Sequence, residues 1–301
     1  MLKFVASALA FLSTSVFALT YQLPDDASRV VGYNQQHIVE SGENMAMIAE
    51  RYEVGFLHLL AANPGIDPFV PGAGNTLLIP TQLLLPDEPR EGIVINLAEL
   101  RLYLYRPDAG EVDVFPIGIG RIGRATPEMT THISQMRENP SWVPTQKTRD
   151  EYAARGEPLP WKVPPGPDNP LGLFAMRLAY GRGEYLIHGT NQSFGVGLRV
   201  SAGCIRLFPE HIEYVFGQVG VGTPVKIINQ PVKYANEPDG RMMLEIHEPL
   251  NRSEEERSEP SNLRLSREQV QFISQDGVDS RLVNQLLRQQ QGIVFEVGAQ
   301  G

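Results

Sequence analysis

Ile93-Val94-Ile95-Asn96-Leu97-Ala98-Glu99-Leu100-Arg101-Leu102-Tyr103-Leu104-Tyr105 is the stretch that sets the fold class. Ile93, Ile95 and Leu97 alternate with Val94, Asn96 and Ala98. Then Leu100, Leu102 and Leu104 alternate with Arg101, Tyr103 and Tyr105. A period of two is the period of a strand, and the Ala98-Glu99 step predicts a hairpin turn between the two runs. Working outward, further strands are predicted over Val112 to Ile119 and Thr223 to Ile228. Two more, Ala175 to Ala179 and Tyr185 to Ile187, flank the turn-like Gly181-Arg182-Gly183. One helix stands out. Pro209 suits the first helical position, Glu210 favours the positive helix start, and Gly220 is a stop. Phe208, Ile212, Val215, Phe216 and Val219 form its apolar stripe. Residues 92–228 therefore predict a mainly β domain with one clear helix. Within it, residues 139–172 are rich in Pro, Gly and Trp, a composition expected of a functional lid or loop.

Upstream, His37-Ile38-Val39 predicts a short strand, and Gly42-Glu43-Asn44 turns into a helix with Met45, Ile48, Ala49 and Tyr52 on one face. A second helical stretch, Phe56 to Ala62, ends at Asn63-Pro64, where proline forbids continuation. Leu77-Leu78-Ile79-Pro80 predicts a return strand. Strand, helix, helix, strand over 37–81 is a small α/β unit able to bury its own core. Pro86 to Arg90 predicts a linker. Downstream, residues 229–301 change composition. Glu254-Glu255-Glu256 predicts a solvated segment, while Ser266 and the trio Val283, Leu286 and Leu287 predict short helices.

The first eighteen residues carry a targeting pattern. Lys3 precedes an uncharged apolar run, Phe4 to Phe17, and Val16-Phe17-Ala18 supplies small residues at a cleavage site. The run is short for a membrane span, so export with removal of residues 1–18 is expected. No cysteine lies near Ala18, which speaks against lipoprotein processing. A formal net charge of −9 over 301 residues argues against a nucleic-acid partner, which needs a basic face. The chain holds a single cysteine, Cys204. In an oxidising compartment a lone thiol cannot be an intramolecular staple. It is buried and inert, linked between chains, or chemically employed.

Its neighbours favour employment. His188 ends the predicted strand Tyr185-Leu186-Ile187 and is followed by Gly189-Thr190. Sixteen residues later comes Ser201-Ala202-Gly203-Cys204-Ile205-Arg206. A hairpin-like return through the glycine-bearing Asn191 to Val200 brings imidazole beside thiol. The thiolate is the nucleophile, and a histidine within reach takes its proton and later returns one to the leaving amine. Gly203 permits a tight turn. Cys204 is expected just before a helix, so N–H groups near Gly203 and Cys204 would face a developing oxyanion. Arg206 offers a planar fork for a substrate carboxylate, and Ser201 is a second candidate binder, or a turn former. Trp142 and Trp161 are candidate groove walls or loop packing.

On these motifs, residues 92–228 resemble the catalytic domain of the L,D-transpeptidases, the YkuD family. Ile119-Gly120, Thr126-Pro127 and Gly166-Pro167-Asp168-Asn169-Pro170-Leu171-Gly172 support the likeness. Residues 37–81 resemble a LysM module, with Gly42-Glu43-Asn44-Met45 at its characteristic turn. The order LysM, catalytic domain and tail is similar to proteobacterial members whose tail is a small extra domain. The resemblance implies a β-sandwich-like catalytic fold with a small α/β LysM domain and a small C-terminal α/β extension. It implies peptidoglycan glycan and stem peptides as partners, periplasmic location, and a cysteine acyl-enzyme. The donor would be a tetrapeptide stem that loses its terminal D-alanine. The acceptor would be an amine of another stem, giving a 3→3 cross-link, or a lysine of an outer-membrane lipoprotein. Carried over residue by residue, Cys204 is the nucleophile, His188 the base, the Gly189 carbonyl the imidazole's orienter and Arg206 a substrate binder. Many members have histidine at Ala202 and asparagine at Arg206; both changes resemble the Gram-negative subgroup.

Two other readings stay open at this point. The same pair would serve an L,D-carboxypeptidase or another cell-wall cysteine hydrolase, with water resolving the thioester. NlpC-like hydrolases place cysteine before histidine, the reverse of the order here. The other reading is a non-enzymatic peptidoglycan-binding protein. Gly118-Ile119-Gly120-Arg121-Ile122-Gly123 matches a dinucleotide fingerprint in letters only, because Arg124-Ala125-Thr126-Pro127 follows where a helix must open. His37, His58, His132, His211 and His247 form no spaced ligand set, so no metal and no cofactor are expected.

Overall fold

The computed structural model describes residues 19–192, 194–251 and 263–298. The expected signal segment and the acidic run at Glu254 lie outside the described residues. The chain begins with strand β1 (Leu19–Gln22), then β2 (Val30–Val31) and β3 (Gln35–Ile38). Helices α1 (Met45–Arg51) and α2 (Phe56–Ala62) and strand β4 (Thr76–Ile79) follow. This is the strand, helix, helix, strand order expected for 37–81, and β3 and β4 pair antiparallel with His37 opposite Leu77. The Asn44 side chain caps α1 by accepting from the Met47 N–H at 3.0 Å. Met45, Ile48, Ala49, Leu59, Leu77 and Ile79 close a private core. Asn63 secures the end of α2: its Nδ2 donates to the Leu59 and Leu78 carbonyls at 2.9 and 2.8 Å, and its Oδ1 accepts from Leu78 N at 2.7 Å.

Strands β5 (Leu83–Leu84), β6 (Ile93–Asn96), β7 (Arg101–Arg106), β8 (Glu111–Pro116) and β9 (Ile119–Gly120) come next. β6 and β7 are joined not by a bare hairpin turn at Ala98-Glu99 but by a one-turn 3-10 helix, Leu97–Glu99. Leu100 then takes a left-handed φ of 54° to reverse the chain. The expected strand Val112 to Ile119 is split in two. Pro116 lacks an N–H to extend the ladder, and Gly118 passes so close to the Gly195 carbonyl that an added Cβ would sit 2.2 Å from its oxygen.

The remaining catalytic-region elements are β10 (Met129–Glu138), α3 (Gln146–Ala154), β11 (Phe174–Leu178), β12 (Leu186–His188), β13 (Phe194–Gly197), β14 (Arg199–Ser201), β15 (Ile205–Arg206), α4 (Pro209–Gln218) and β16 (Pro224–Ile228). Helix α3 lies inside the 139–172 segment read as loop. It lacks an apolar stripe and is built on a Thr145 cap that accepts from Thr148 N at 3.2 Å. Nine strands form one mixed sheet in the order β1-β8-β7-β6-β16-β10-β11-β12-β15. Ile95 and Leu102 from its middle share a single core with Ile187 and Ile205 from its far edge. One face can meet itself that way only if the sheet curls over, and helix α4 fills the curl through Ile212 and Val215. The opposite face of β6, β7 and β8 has its own cover: Val94, Tyr103, Tyr105, Val112 and Val114 pack on Val31, Leu83 and Leu85.

The C-terminal region forms a second antiparallel sheet, β17 (Val232–Asn236), β18 (Met242–His247) and β19 (Gln291–Glu296). Helices α5 (Arg267–Ile273) and α6 (Ser280–Gln289) precede β19. Ser266 caps α5 in a reciprocal box with Gln269. Phe272, Val283 and Leu286 pack on Val232, Leu244 and Ile246.

A fully buried ionic cluster joins the three regions. Arg101 donates to Glu99 at 2.9 Å and Glu245 at 3.1 Å, and Lys233 pairs with the same two carboxylates at 3.0 and 3.1 Å. Arg101 also meets His58 of α2 at 2.6 Å, and His247 meets Glu245 at 2.6 Å. Glu99, Glu245 and His247 thus converge, a meeting their spacing in the chain did not reveal. The two carboxylates are already balanced by two cations, so the cluster is a salt-bridge lock. A second tie, Glu53 to His211 at 3.1 Å, fixes the N-terminal unit to α4.

Candidate active site

The register of the sheet's far edge builds the site. β12 and β15 run parallel, with Ile187 opposite Ile205 and His188 opposite Arg206. Ile187 and Ile205 enter the core, so the period of two turns His188 and Arg206 to the other face. Cys204, one residue ahead of β15, falls beside Leu186 on that same face. A cleft of about 1640 Å³ opens over this face, and Cys204, His188, Arg206, Ser201, Trp142 and Trp161 all line it. Cys204 and His188 are therefore diagonal positions on neighbouring strands of one face.

His188 is buried. Its Nδ1 lies 2.6 Å from the Gly189 carbonyl. Only a protonated Nδ1 can meet a carbonyl, so Nε2 is left with its lone pair toward the cleft. Burial, and next the Arg206 guanidinium, push the imidazole pKa down to about 4, against the Gly189 bond that raises it. At neutral pH the ring is therefore an unprotonated base. Burial raises the Cys204 thiol above its ordinary value, while a backbone hydrogen bond from Leu186 and the Arg206 and Arg177 charges pull the other way. At rest the sulfur donates to the Glu184 carbonyl at 3.6 Å. The resting pair is a neutral thiol beside a neutral imidazole.

The Cys204 turn is held from below. Gly203 has φ +111°, a conformation that side chains resist, and a Cβ there would stand 3.2 Å from Tyr185. Ser201 commits its hydroxyl to the turn, donating to the Cys204 carbonyl at 2.6 Å and accepting from Gly203 N at 3.2 Å. Thr126 Oγ1 donates to the Gly203 carbonyl at 2.9 Å and accepts from Gly120 N at 3.0 Å. This gives physical content to the Thr126-Pro127 and Ile119-Gly120 pairs. Asn169, fully buried, does the same for residues 139–172. Its Nδ2 donates to Pro140 O at 2.6 Å and its Oδ1 accepts from Leu171 N at 2.9 Å.

One expectation is corrected. Cys204 does not stand at a helix start. β15 intervenes and α4 begins only at Pro209, because Ile205 is drawn into the sheet beside Ile187. The Gly203 N–H is occupied by Ser201 in the resting turn, so no helix dipole reaches the sulfur. Arg206 lines the cleft. Its Nε is buried with no hydrogen-bond partner, and its guanidinium carries no ion pair among the described residues. The sequence reading missed Arg137, Arg177, Glu151 and Tyr152, which also line the cleft. The signal for Arg177 was present: an arginine alternating with Met176 and Leu178 in an otherwise apolar strand.

A family model for the L,D-transpeptidase catalytic domain, YkuD, matches residues 90–227, and one for the L,D-transpeptidase C-terminal domain matches residues 231–297. A probable L,D-transpeptidase of Escherichia coli, YcfS, is 46% identical over 98% of this chain and 93% of its own length. A second from the same species, ErfK/SrfK, is 48% identical over 97% of this chain and 95% of its own. Among solved structures, the catalytic domain of an E. faecium L,D-transpeptidase overlaps 48% of this chain and 100% of its own, at 21% identity and a TM-score of 0.35.

Proposed function

The chain belongs to the L,D-transpeptidase family, and from that premise we propose the division of labour by which its residues transfer acyl groups between peptidoglycan stem peptides. The single observation that carries it is the Nδ1–Gly189 bond of 2.6 Å, which leaves Nε2 as the base on the face that bears Cys204. Nε2 takes the thiol proton as sulfur attacks the carbonyl of the L-centre of meso-diaminopimelate in a tetrapeptide stem. The tetrahedral intermediate collapses, the protonated imidazole returns the proton to the leaving nitrogen, and D-alanine departs. A thioester joins the stem to Cys204. An acceptor amine attacks it, gives its proton to Nε2, and expels the sulfur, which regains a proton. Gly203 and Ser201 shape the nucleophile turn, and Arg206 receives a substrate carboxylate.

The acceptor is the amine of a second stem, which makes a 3→3 cross-link, or the lysine of an outer-membrane lipoprotein. Residues 37–81 act as a LysM-type glycan-binding module, an assignment supported by the private core and by the strand, helix, helix, strand order. Residues 92–228 are the catalytic domain and 229–301 a C-terminal extension. Residues 1–18 direct export to the periplasm. Among the described residues no helix is long and apolar enough to cross a membrane.

The test is mass spectrometry of wall digests from cells carrying wild-type or Cys204→Ala protein. New 3→3 dimers or lipoprotein-linked muropeptides that vanish in the variant support transfer. Tripeptides alone mean that water resolves the thioester. Identical digests from both proteins would leave only a binding role.

A further inference from the structure

The nucleophile's sheet face carries more positive charge than the reaction itself uses. The registers extend across four strands. Gln135 lies opposite Arg177, and Arg177 opposite Leu186, beside which Cys204 falls. Arg137 lies opposite Ala175, Ala175 opposite His188, and His188 opposite Arg206. Met136, Met176, Ile187 and Ile205 turn to the core side. Arg137, Arg177 and Arg206 therefore share one face with the thiol and the imidazole, and all of them line the cleft. Among the described residues none of these three arginines has an ion pair. By contrast, Arg121 and Arg124 at the cleft's rim are both paired with Glu151, at 2.7 and 2.9 Å. This unpaired cationic strip sits in a chain of net charge −9.

Arg177 is also aimed. Its guanidinium donates to the Gly183 carbonyl. A Cβ on Gly183, which has φ +79°, would stand 2.9 Å from that guanidinium. The turn that holds it runs on to Glu184, whose carbonyl accepts from the Cys204 thiol. One short turn thus fixes Arg177 relative to the nucleophile. Two strand spacings separate them, about 10 Å between backbones, and both Arg177 and Arg206 act electrostatically on the sulfur.

We infer that Arg177, backed by Arg137, is a specificity-determining residue that receives the far carboxylate of the diaminopimelate side chain. The inference rests on the transpeptidase reading above. Six single bonds join the attacked carbonyl carbon to that carboxylate carbon, a span of about 7–8 Å when extended. That suits an arginine two strands from the sulfur. Arg206, on the sulfur's own strand, is left for the nearer terminal carboxylate of the leaving residue. A planar fork takes a carboxylate through two parallel bonds.

The test compares D-alanine release from three soluble stem tetrapeptides carrying free diaminopimelate, its side-chain amide, or lysine, which lacks the carboxylate. Wild-type enzyme is expected to show KM about 10- to 100-fold lower for the free acid. Arg177→Gln should raise KM for the free acid by that factor relative to the amide and lysine donors, so that discrimination among the three is lost, and be partly rescued by Arg177→Lys. Arg137→Gln should shift KM the same way by less. Equal losses on all three donors, or no discrimination by wild type, overturns the proposal. A second readout needs no turnover: the rate of Cys204 alkylation by iodoacetate relative to neutral iodoacetamide at low salt. The ratio should fall severalfold in Arg177→Gln. If wild type releases no D-alanine while the ratio still falls, the transpeptidase reading fails and the anion site stands. An unchanged ratio sinks the anion site.

Discussion

The protonation states at rest make a prediction that separates two kinds of cysteine enzyme. In one kind, thiolate and imidazolium form an ion pair before substrate arrives, and the sulfur is reactive down to low pH. Here burial and Arg206 hold His188 at about 4, and burial raises the Cys204 thiol. With the thiol raised above its ordinary value, the sulfur is overwhelmingly protonated at pH 7. Alkylation of Cys204 by iodoacetamide should therefore rise about tenfold per pH unit from pH 6 to 8, since it follows the thiolate fraction. The assay is intact-mass kinetics across that range, on wild type and on His188→Gln. The variant should keep the same slope, because the resting imidazole donates no charge to the sulfur. Its release of D-alanine from a tetrapeptide should nonetheless fall by roughly 10²- to 10⁴-fold, the usual worth of a general base. A rate plateau beginning near pH 4–5, abolished in His188→Gln, would show a resting ion pair and refute the reasoning. The sign holds for catalysis too. Activity should not decline from pH 8 to 6 through histidine protonation, because the imidazole charges only as pH falls through its lowered pKa.

Two further outcomes follow from the supports of the site. Lys233→Met leaves Glu99 and Glu245 buried with Arg101 as their remaining strong cation, a loss of about 3–5 kcal/mol, read as a lower Tm. Glu245 is held well below its ordinary pKa, with Lys233 the foremost cause of the lowering. The cluster's contribution is thus full above the unfolded value of about 4.3 and lost as pH falls through the folded one. The gap between wild type and variant should be constant from pH 8 to 5 and narrow in acid; a gap that widens in acid contradicts the cluster's geometry. Thr126→Val removes the donor to Gly203 O and the acceptor for Gly120 N, costing about 1–3 kcal/mol. It should lower kcat for D-alanine release tenfold or more through misplacement of the nucleophile, and an unchanged kcat would mean the turn is held by other means.

Much of the candidate site's local geometry was legible in the linear chain because it is carried by neighbours in sequence. His188 sits next to the carbonyl that orients it, and Ser201 and Gly203 sit next to the sulfur they position. The strand periods at Ile93–Tyr105, the α1 and α2 pattern and the Ser266 cap are also local, and they reappear in the structure with boundaries moved by a residue or two. Helix α3 escaped because it has a polar face all round, so no apolar period announced it.

What the chain alone determined is the local motifs around His188 and Cys204, the strand periods of the central region and the helix patterns on either side of it, since each depends on residues close in sequence. Tertiary structure alone decided which face those groups share. Strand register brought Arg137 and Arg177 to the nucleophile's face and drew Ile205 into the sheet, removing the helix start from Cys204. It also gathered His58, Arg101, Lys233, Glu245 and His247 into one buried lock. Register and burial are set by which apolar faces find each other across long separations in the chain, and no local period encodes that choice.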